Sequence, residues 1–251
     1  MDDTAPYIAA FWREGGQTYG EFVMQTREFL LALREIDPIF ETLYVMGDRE
    51  NHELPLGANL EYLETLVYER GWDRNAPRDW YTELDEREEP TMDTLSPVGW
   101  GLSIVTEPER ECSDNYVHLS MHTGATSARL KSRIVVQAGN ARSPLAAIAT
   151  ADRLFRLVID FWDPDGAQLT SADFRDAVWD DETHEQLGWL TYRKDPSFAR
   201  HLPAGVFSED LADGVLFRIG DGQPLDATCT DEIRVGRAIQ ESLRAGSLPG
   251  R

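Results

Sequence analysis

Residues 116–122 read YVHLSMH. Val117, Leu119 and Met121 alternate with His118, Ser120 and His122. Successive side chains of a strand point to opposite faces, so the pattern predicts a strand with one apolar and one polar face. Residues 98–105 before it and 132–138 after it also read as strands, the latter centred on Ile134, Val135 and Val136. Three strands this close in sequence predict an antiparallel meander, and with it a sheet as the frame of the fold.

Working outward, residues 7–12 (YIAAFW) are short and apolar and predict a first buried strand. Thr18-Tyr19-Gly20-Glu21 has the spacing of a capping box, and Phe22, Thr26, Phe29, Leu30, Leu33 and Ile36 follow at helical spacing. Asp37-Pro38 ends that helix, because proline disfavours the α conformation of the residue before it. Residues 40–46 read as a second strand or extended turn, and Asn59 as the cap of a helix over 60–69. Residues 72–90 show no period and read as loop.

Ser143-Pro144 reads as a helix start, and Leu145, Ile148, Ala151, Phe155, Val158 and Trp162 mark one face of a long helix ended by Asp163-Pro164. Thr170 reads as the cap of a short helix to Trp179, residues 188–192 (GWLTY) as a strand, and Asp213-Gly214 as a turn into a strand over 215–219. A last helix is predicted over 228–244. Strands and helices do not alternate regularly, which argues against a doubly wound parallel sheet. The fold class predicted is α+β, an antiparallel or mixed β-sheet with helices packed against it. Residues 1–251 are read as a single domain, with short flexible ends at 1–5 and 246–251.

The 251 residues carry 24 Lys and Arg against 45 Asp and Glu, a formal net charge of −21. Such a field repels nucleic acid and anionic membrane and attracts a basic protein. No apolar run is long enough to span a bilayer, and Met1-Asp2-Asp3 is unlike a secretory signal, so a cytoplasmic protein is expected. Cys112 and Cys229 follow no metal-ligand spacing and are expected to be free thiols.

Signs of chemistry are few. His118 and His122 share a strand face, but four residues of strand separate them by about 13 Å, too far for one zinc with bonds of about 2 Å. There is no Gly-x-Ser-x-Gly elbow, P-loop or dinucleotide fingerprint. Asp163-Pro164-Asp165 is a compact acidic group but reads first as a turn that ends a helix. No catalytic residue, metal or cofactor is expected. The competing readings are a hydrolase using paired carboxylates, which needs two of them across a cleft at roughly 5–9 Å, and an adaptor of a secretion apparatus.

Several stretches taken in order resemble the immunity protein 52 family of bacterial polymorphic toxin systems. They are residues 7–12, Glu28-Phe29-Leu30 with Leu33 and IDPIF (36–40), SMHTG (120–124), FWDPD (161–165) followed by Thr170-Ser171 and Phe174-Arg175, and GWLTY (188–192). Arg13-Glu14 stand where the family commonly carries a glycine after its first tryptophan. The resemblance implies a binding protein that holds a cognate nuclease toxin inactive in the producing cell. The toxin class it implies is restriction-endonuclease-like, delivered by type VI secretion or carried on Rhs-type proteins. A nuclease presents basic surface to phosphates, which an inhibitor of charge −21 complements.

Two segments combine aromatic rings with carboxylates as an interface for a basic partner does, the rings as anchors and the acids for steering. One is RDWYTELDEREEP (78–90); the other runs from Asp176 through Trp179 to Glu182. Trp80, Tyr81, Asp85, Glu86, Trp179, Asp180 and Asp181 are the expected toxin-binding residues. Trp12, Trp162 and Trp189 have apolar neighbours and read as core.

Overall fold

A computed structural model of the chain describes residues 3–13, 15–46, 53–70, 91–108, 113–127, 130–221 and 223–247. In chain order the elements begin β1 (Tyr7–Trp12), α1 (Tyr19–Arg34), β2 (Tyr44–Val45), β3 (Leu54–Pro55), α2 (Leu63–Arg70), β4 (Trp100–Val105), β5 (Val117–Thr123) and β6 (Ser132–Ala138). They continue with α3 (Ile148–Trp162), β7 (Gly166–Thr170), α4 (Ala172–Val178), β8 (Leu190–Arg193), β9 (Phe207–Leu211), β10 (Gly214–Arg218) and α5 (Thr230–Ser247). This is the α+β class the sequence implied, and every strand pairing with a resolved register is antiparallel. The chain divides into two compact units: an inserted unit, Phe11–Val136, and a flanking unit, Met1–Ala10 with Gln137–Arg251.

In the inserted unit the strands run in the order β3-β2-β4-β5-β6. The meander forms as its alternation requires: Leu102 lies opposite Met121 and Ile104 opposite Leu119, all four buried, while Gly101, Ser103, His118, Ser120 and His122 share the half-buried face. The capping box at α1 is complete. Thr18 Oγ1 accepts from the Glu21 N–H at 3.2 Å, and the Glu21 carboxylate accepts from the Thr18 N–H at 2.8 Å. Phe22, Thr26, Phe29, Leu30 and Leu33 then turn inward. Tyr19 meets Trp100 of β4 edge-on at 5.2 Å and donates its hydroxyl to the Glu64 carbonyl of α2. One expectation fails: α2 begins at Leu63, and Asn59 is not its cap. The side chain of Leu60 is buried, and its backbone is left-handed (φ 57°), so helix cannot start before it.

In the flanking unit the order is β1-β7-β8-β10-β9. Leu216 of β10 lies opposite Tyr192 of β8 and Glu209 of β9, and Phe217 opposite Thr191 and Ser208. Residues opposite one another in a ladder share a face. The Arg156–Glu209 ion pair therefore sets α3 on the Tyr192 face. On the other face, Phe217 stacks at 5.4 Å on Phe198, from the 3-10 turn Pro196–His201. Covered from both sides, β7 and β8 are buried at every position. That double cover hides β7 from an alternation reading. The expected Thr170 cap is instead the last residue of β7, and Ser171 caps α4 by accepting from the Phe174 N–H at 3.2 Å. Strand β9 was likewise not read from sequence, whereas its turn into β10 was. The expected helix start at Ser143-Pro144 is a separate 3-10 turn, Pro144–Ala146, and α3 begins at Ile148. Asp163 ends α3 in the left-handed conformation (φ 45°), with its carboxylate on Lys194 at 2.6 Å. At Gly188 only glycine fits, because a Cβ there would lie 2.2 Å from the Leu169 carbonyl oxygen.

Candidate functional site

Helix α4 stops at Val178, and the chain from Trp179 to Gln186 turns back toward β8. The turn is built on Asp180. Its Oδ1 accepts from the N–H groups of Glu182 and Thr183, both at 2.9 Å, while its carbonyl accepts from the His184 N–H at 3.1 Å. His184 takes a left-handed backbone (φ 55°) to close the turn. The second carboxylate oxygen of Asp180 pairs with the Arg244 guanidinium of α5, which also lies 3.3 Å from Glu182. The Thr183 N–H, with the Glu182 N–H and Arg244 adding to it, holds the Asp180 carboxyl below its ordinary value.

The turn is fastened from two further directions. Gln240 of α5 is 2% exposed. Its amide nitrogen donates to the Val178 and Glu185 carbonyls at 3.3 and 2.8 Å, and its amide oxygen accepts from Thr183 Oγ1 at 2.6 Å. Arg193 of β8, buried and stacked on Phe198, donates to the Glu185 carboxylate at 3.0 and 2.7 Å and to the Gln186 carbonyl at 2.7 Å. On this support Trp179 stands 40% exposed. Its ring N–H donates to Asp181 Oδ1 at 2.8 Å, and its ring lies 6.0 Å from that of His184. Asp181 and Glu182 are exposed beside it. The result is a firm surface turn that displays an indole among carboxylates.

Of the residues expected at a toxin interface, Trp179 and Asp181 therefore face outward, whereas the Asp180 carboxylate is engaged with the turn and with Arg244. Trp80, Tyr81, Asp85 and Glu86 lie outside the described residues, as does Cys112. The supports at Glu185, Arg193, Gln240 and Arg244 were not read from sequence. Their only trace is Gln240 and Arg244 one helical turn apart on α5, and nothing local says what they hold. Trp12, Trp162 and Trp189 are buried, as read. Asp163 and Asp165 form the turn after α3: Asp163 pairs with Lys194, and the Asp165 carbonyl accepts from the Lys194 N–H at 3.0 Å. His118 and His122 sit on the polar face of β5. Among the described residues no three His, Cys, Asp or Glu side chains gather as metal ligands would, and Cys229 is a free thiol. Among the described residues, too, no helix is long and apolar enough to cross a membrane.

No family model matches the chain, and no curated protein matches it. Among solved structures it is similar to the type VI secretion system protein PA0821 of Pseudomonas aeruginosa, with a TM-score of 0.51 over 96% of this chain and 73% of that one. The two are 10% identical in sequence, so the likeness is one of fold.

Proposed function

We propose that the protein is an immunity protein: it binds a cognate restriction-endonuclease-like DNase toxin of a type VI secretion or Rhs-type effector and holds it inactive in the cytoplasm of the producing cell. The observation that carries this reading is the Trp179 turn. Side chains from α5 and β8 fix the turn that carries Trp179, whose exposed indole is hydrogen-bonded to Asp181, before any partner arrives. An aromatic anchor ordered in advance loses little entropy on binding, and carboxylates around it favour a basic partner. The net charge of −21, the ordered resemblance to the immunity protein 52 family and the fold shared with a type VI secretion system protein support the same reading. The protein acts by binding and not by catalysis, and takes neither nucleic acid nor membrane as a partner.

Calorimetry tests it, with the toxin domain encoded beside this chain disabled in its nuclease site. Nanomolar affinity is expected, together with loss of DNA cleavage when the active toxin is mixed with this protein. Absence of binding at low salt, with both proteins folded, would overturn the proposal.

A further inference from the structure

Helix α1 has a second face. Its buried stripe is Phe22, Thr26, Phe29, Leu30 and Leu33. On the opposite side Glu21, Met24, Glu28 and Leu31 recur at spacings of three, four and three, so they form one outward row in which acid and apolar side chains alternate. Met24 is 62% exposed and Leu31 42%. Single exposed apolar residues are ordinary. These two are joined by others: the segment 92–95 runs along the first turn of α1, with the Gly20 N–H donating to the Met92 carbonyl and the Tyr19 N–H to the Thr94 carbonyl, both at 2.9 Å. Gly20 permits that approach, since a Cβ there would lie 2.9 Å from the Met92 carbonyl oxygen. The side chains of Met92 and Leu95 remain 47% and 48% exposed. The large apolar side chains that are exposed among the described residues are Met24, Leu31, Tyr62, Met92, Leu95, Trp179 and Phe207, and four of the seven therefore belong to α1 or to the segment fastened to it. Apolar groups gathered in this way, with Glu21 and Glu28 along one side and Arg27 donating to the Asn59 carbonyl on the other, mark an interaction surface.

Beside the row lies a groove of about 560 Å³, lined by Glu21, Met24, Gln25 and Glu28 from α1 and by Gly16 and Gln17 from the chain leading into it. Its floor is fixed. Gln17 donates to the Gln25 side chain at 2.5 Å and accepts from Thr123 Oγ1 at 2.7 Å, and its carbonyl accepts from the Trp100 ring N–H at 3.0 Å. The Glu21 carboxylate is held by its cap, whereas Glu28 has no hydrogen-bond or ion-pair partner among the described residues. Among the described residues, no basic side chain lines the groove.

We infer that the outer face of α1 is a docking surface for a basic segment of the toxin, an arginine or lysine entering the groove between Glu21 and Glu28 while apolar neighbours lie on Met24 and Met92. The inference rests on the immunity reading and adds a surface on the inserted unit to the Trp179 turn of the flanking unit. Charge selects the occupant. A second copy of this chain would bring the same carboxylates and another charge of −21. A nuclease brings the cations that a phosphate-binding surface requires.

The test uses the full chain carrying Met24→Asp or Glu28→Lys, with Thr65→Ala, an exposed position on α2 outside the proposed surface, as a control. Each is titrated against the disabled toxin by calorimetry and stopped-flow. Both α1 positions are exposed, so unchanged melting temperatures are expected. Glu28→Lys should slow association at low salt by roughly tenfold, and Met24→Asp should speed dissociation by roughly a hundredfold. Tight binding by the wild type that both variants retain within a factor of two overturns the docking surface and leaves the immunity reading standing. Failure of the wild type to bind overturns both. Self-association of the wild type that Met24→Asp abolishes assigns the face to a second copy, and overturns the inference as well.

Discussion

Trp179 and Asp180 are neighbours with opposite duties. Trp179 faces solvent and has its ring N–H satisfied by Asp181, so Trp179→Ala should change stability by less than about 1 kcal/mol while weakening toxin binding by about 2 kcal/mol or more. Denaturant unfolding and calorimetry on the same variant separate the two effects. Asp180 holds the turn, and its pKa is lowered from 3.8. Its stabilisation is complete above that value and is lost as pH falls through the lowered native pKa. Asp180→Asn should therefore start less stable at pH 7 and lose less than the wild type on acidification below about pH 4. Tyr192 shows the reverse sign. Its hydroxyl is buried without a hydrogen-bond partner among the described residues, and burial, with Asp163, Asp213 and Asp160 adding to it, pushes its pKa up to about 12. The unfolded phenol ionises near pH 10 and the folded one later, so stability falls as pH rises from about 10 toward 12. Tyr192→Phe should be at least as stable at neutral pH and lose less above pH 10, which unfolding curves at several alkaline pH values will show.

At the scale of elements, what the sequence made legible followed local pattern, either alternation or a short apolar run. Strand β5 carries alternation, β1 and β6 short apolar runs, and all three stand within a residue or two of where they were read. The Thr18 box and the Asp163 stop were legible because a cap is written in adjacent residues. Strand β7 was not: covered on both faces it shows no alternation, and with Gln168 and Thr170 buried in it there is no apolar run, whereas the largely buried β10 carries Val215, Leu216 and Phe217. The candidate site divides in the same way. Trp179 with its acids could be read as a cluster, but the inward duty of Asp180 depends on Arg244, sixty-four residues further on. Gln240 is the sharpest case, a buried amide whose three bonds join α5 to the turn. Gln240→Met keeps its bulk but leaves the Val178 and Glu185 carbonyls without that donor, at a cost of about 1–3 kcal/mol. Amide exchange at Glu182, Thr183 and His184 should quicken in that variant, and the toxin complex should dissociate faster.

At the scale of the whole molecule the dominant quantity is charge. Acidic residues outnumber basic ones by 45 to 24, and charge of one sign acts on partners beyond contact range. Association with a basic toxin should slow by tenfold or more as salt rises from about 20 mM to 500 mM, while dissociation, governed by buried contacts such as Trp179, changes little. Stopped-flow across a salt series will show whether the two rates part in this way.

Strand β9 ends the order of the flanking unit, and an outermost strand offers a row of unpaired backbone groups to any matching chain. Its Asp210 is exposed, whereas Glu209 is paired with Arg156, so a second copy laid edge to edge would bring another free carboxylate toward the Asp210 face. On β3, which ends the order of the inserted unit, only two residues long, Pro55 removes a donor from the row. Crowding thus gives the folded protein little to template on. On the proposed role this matters before any toxin is met: an antidote has to accumulate ahead of the poison, and strand ends that repel their own kind let it be stored without seeding aggregates.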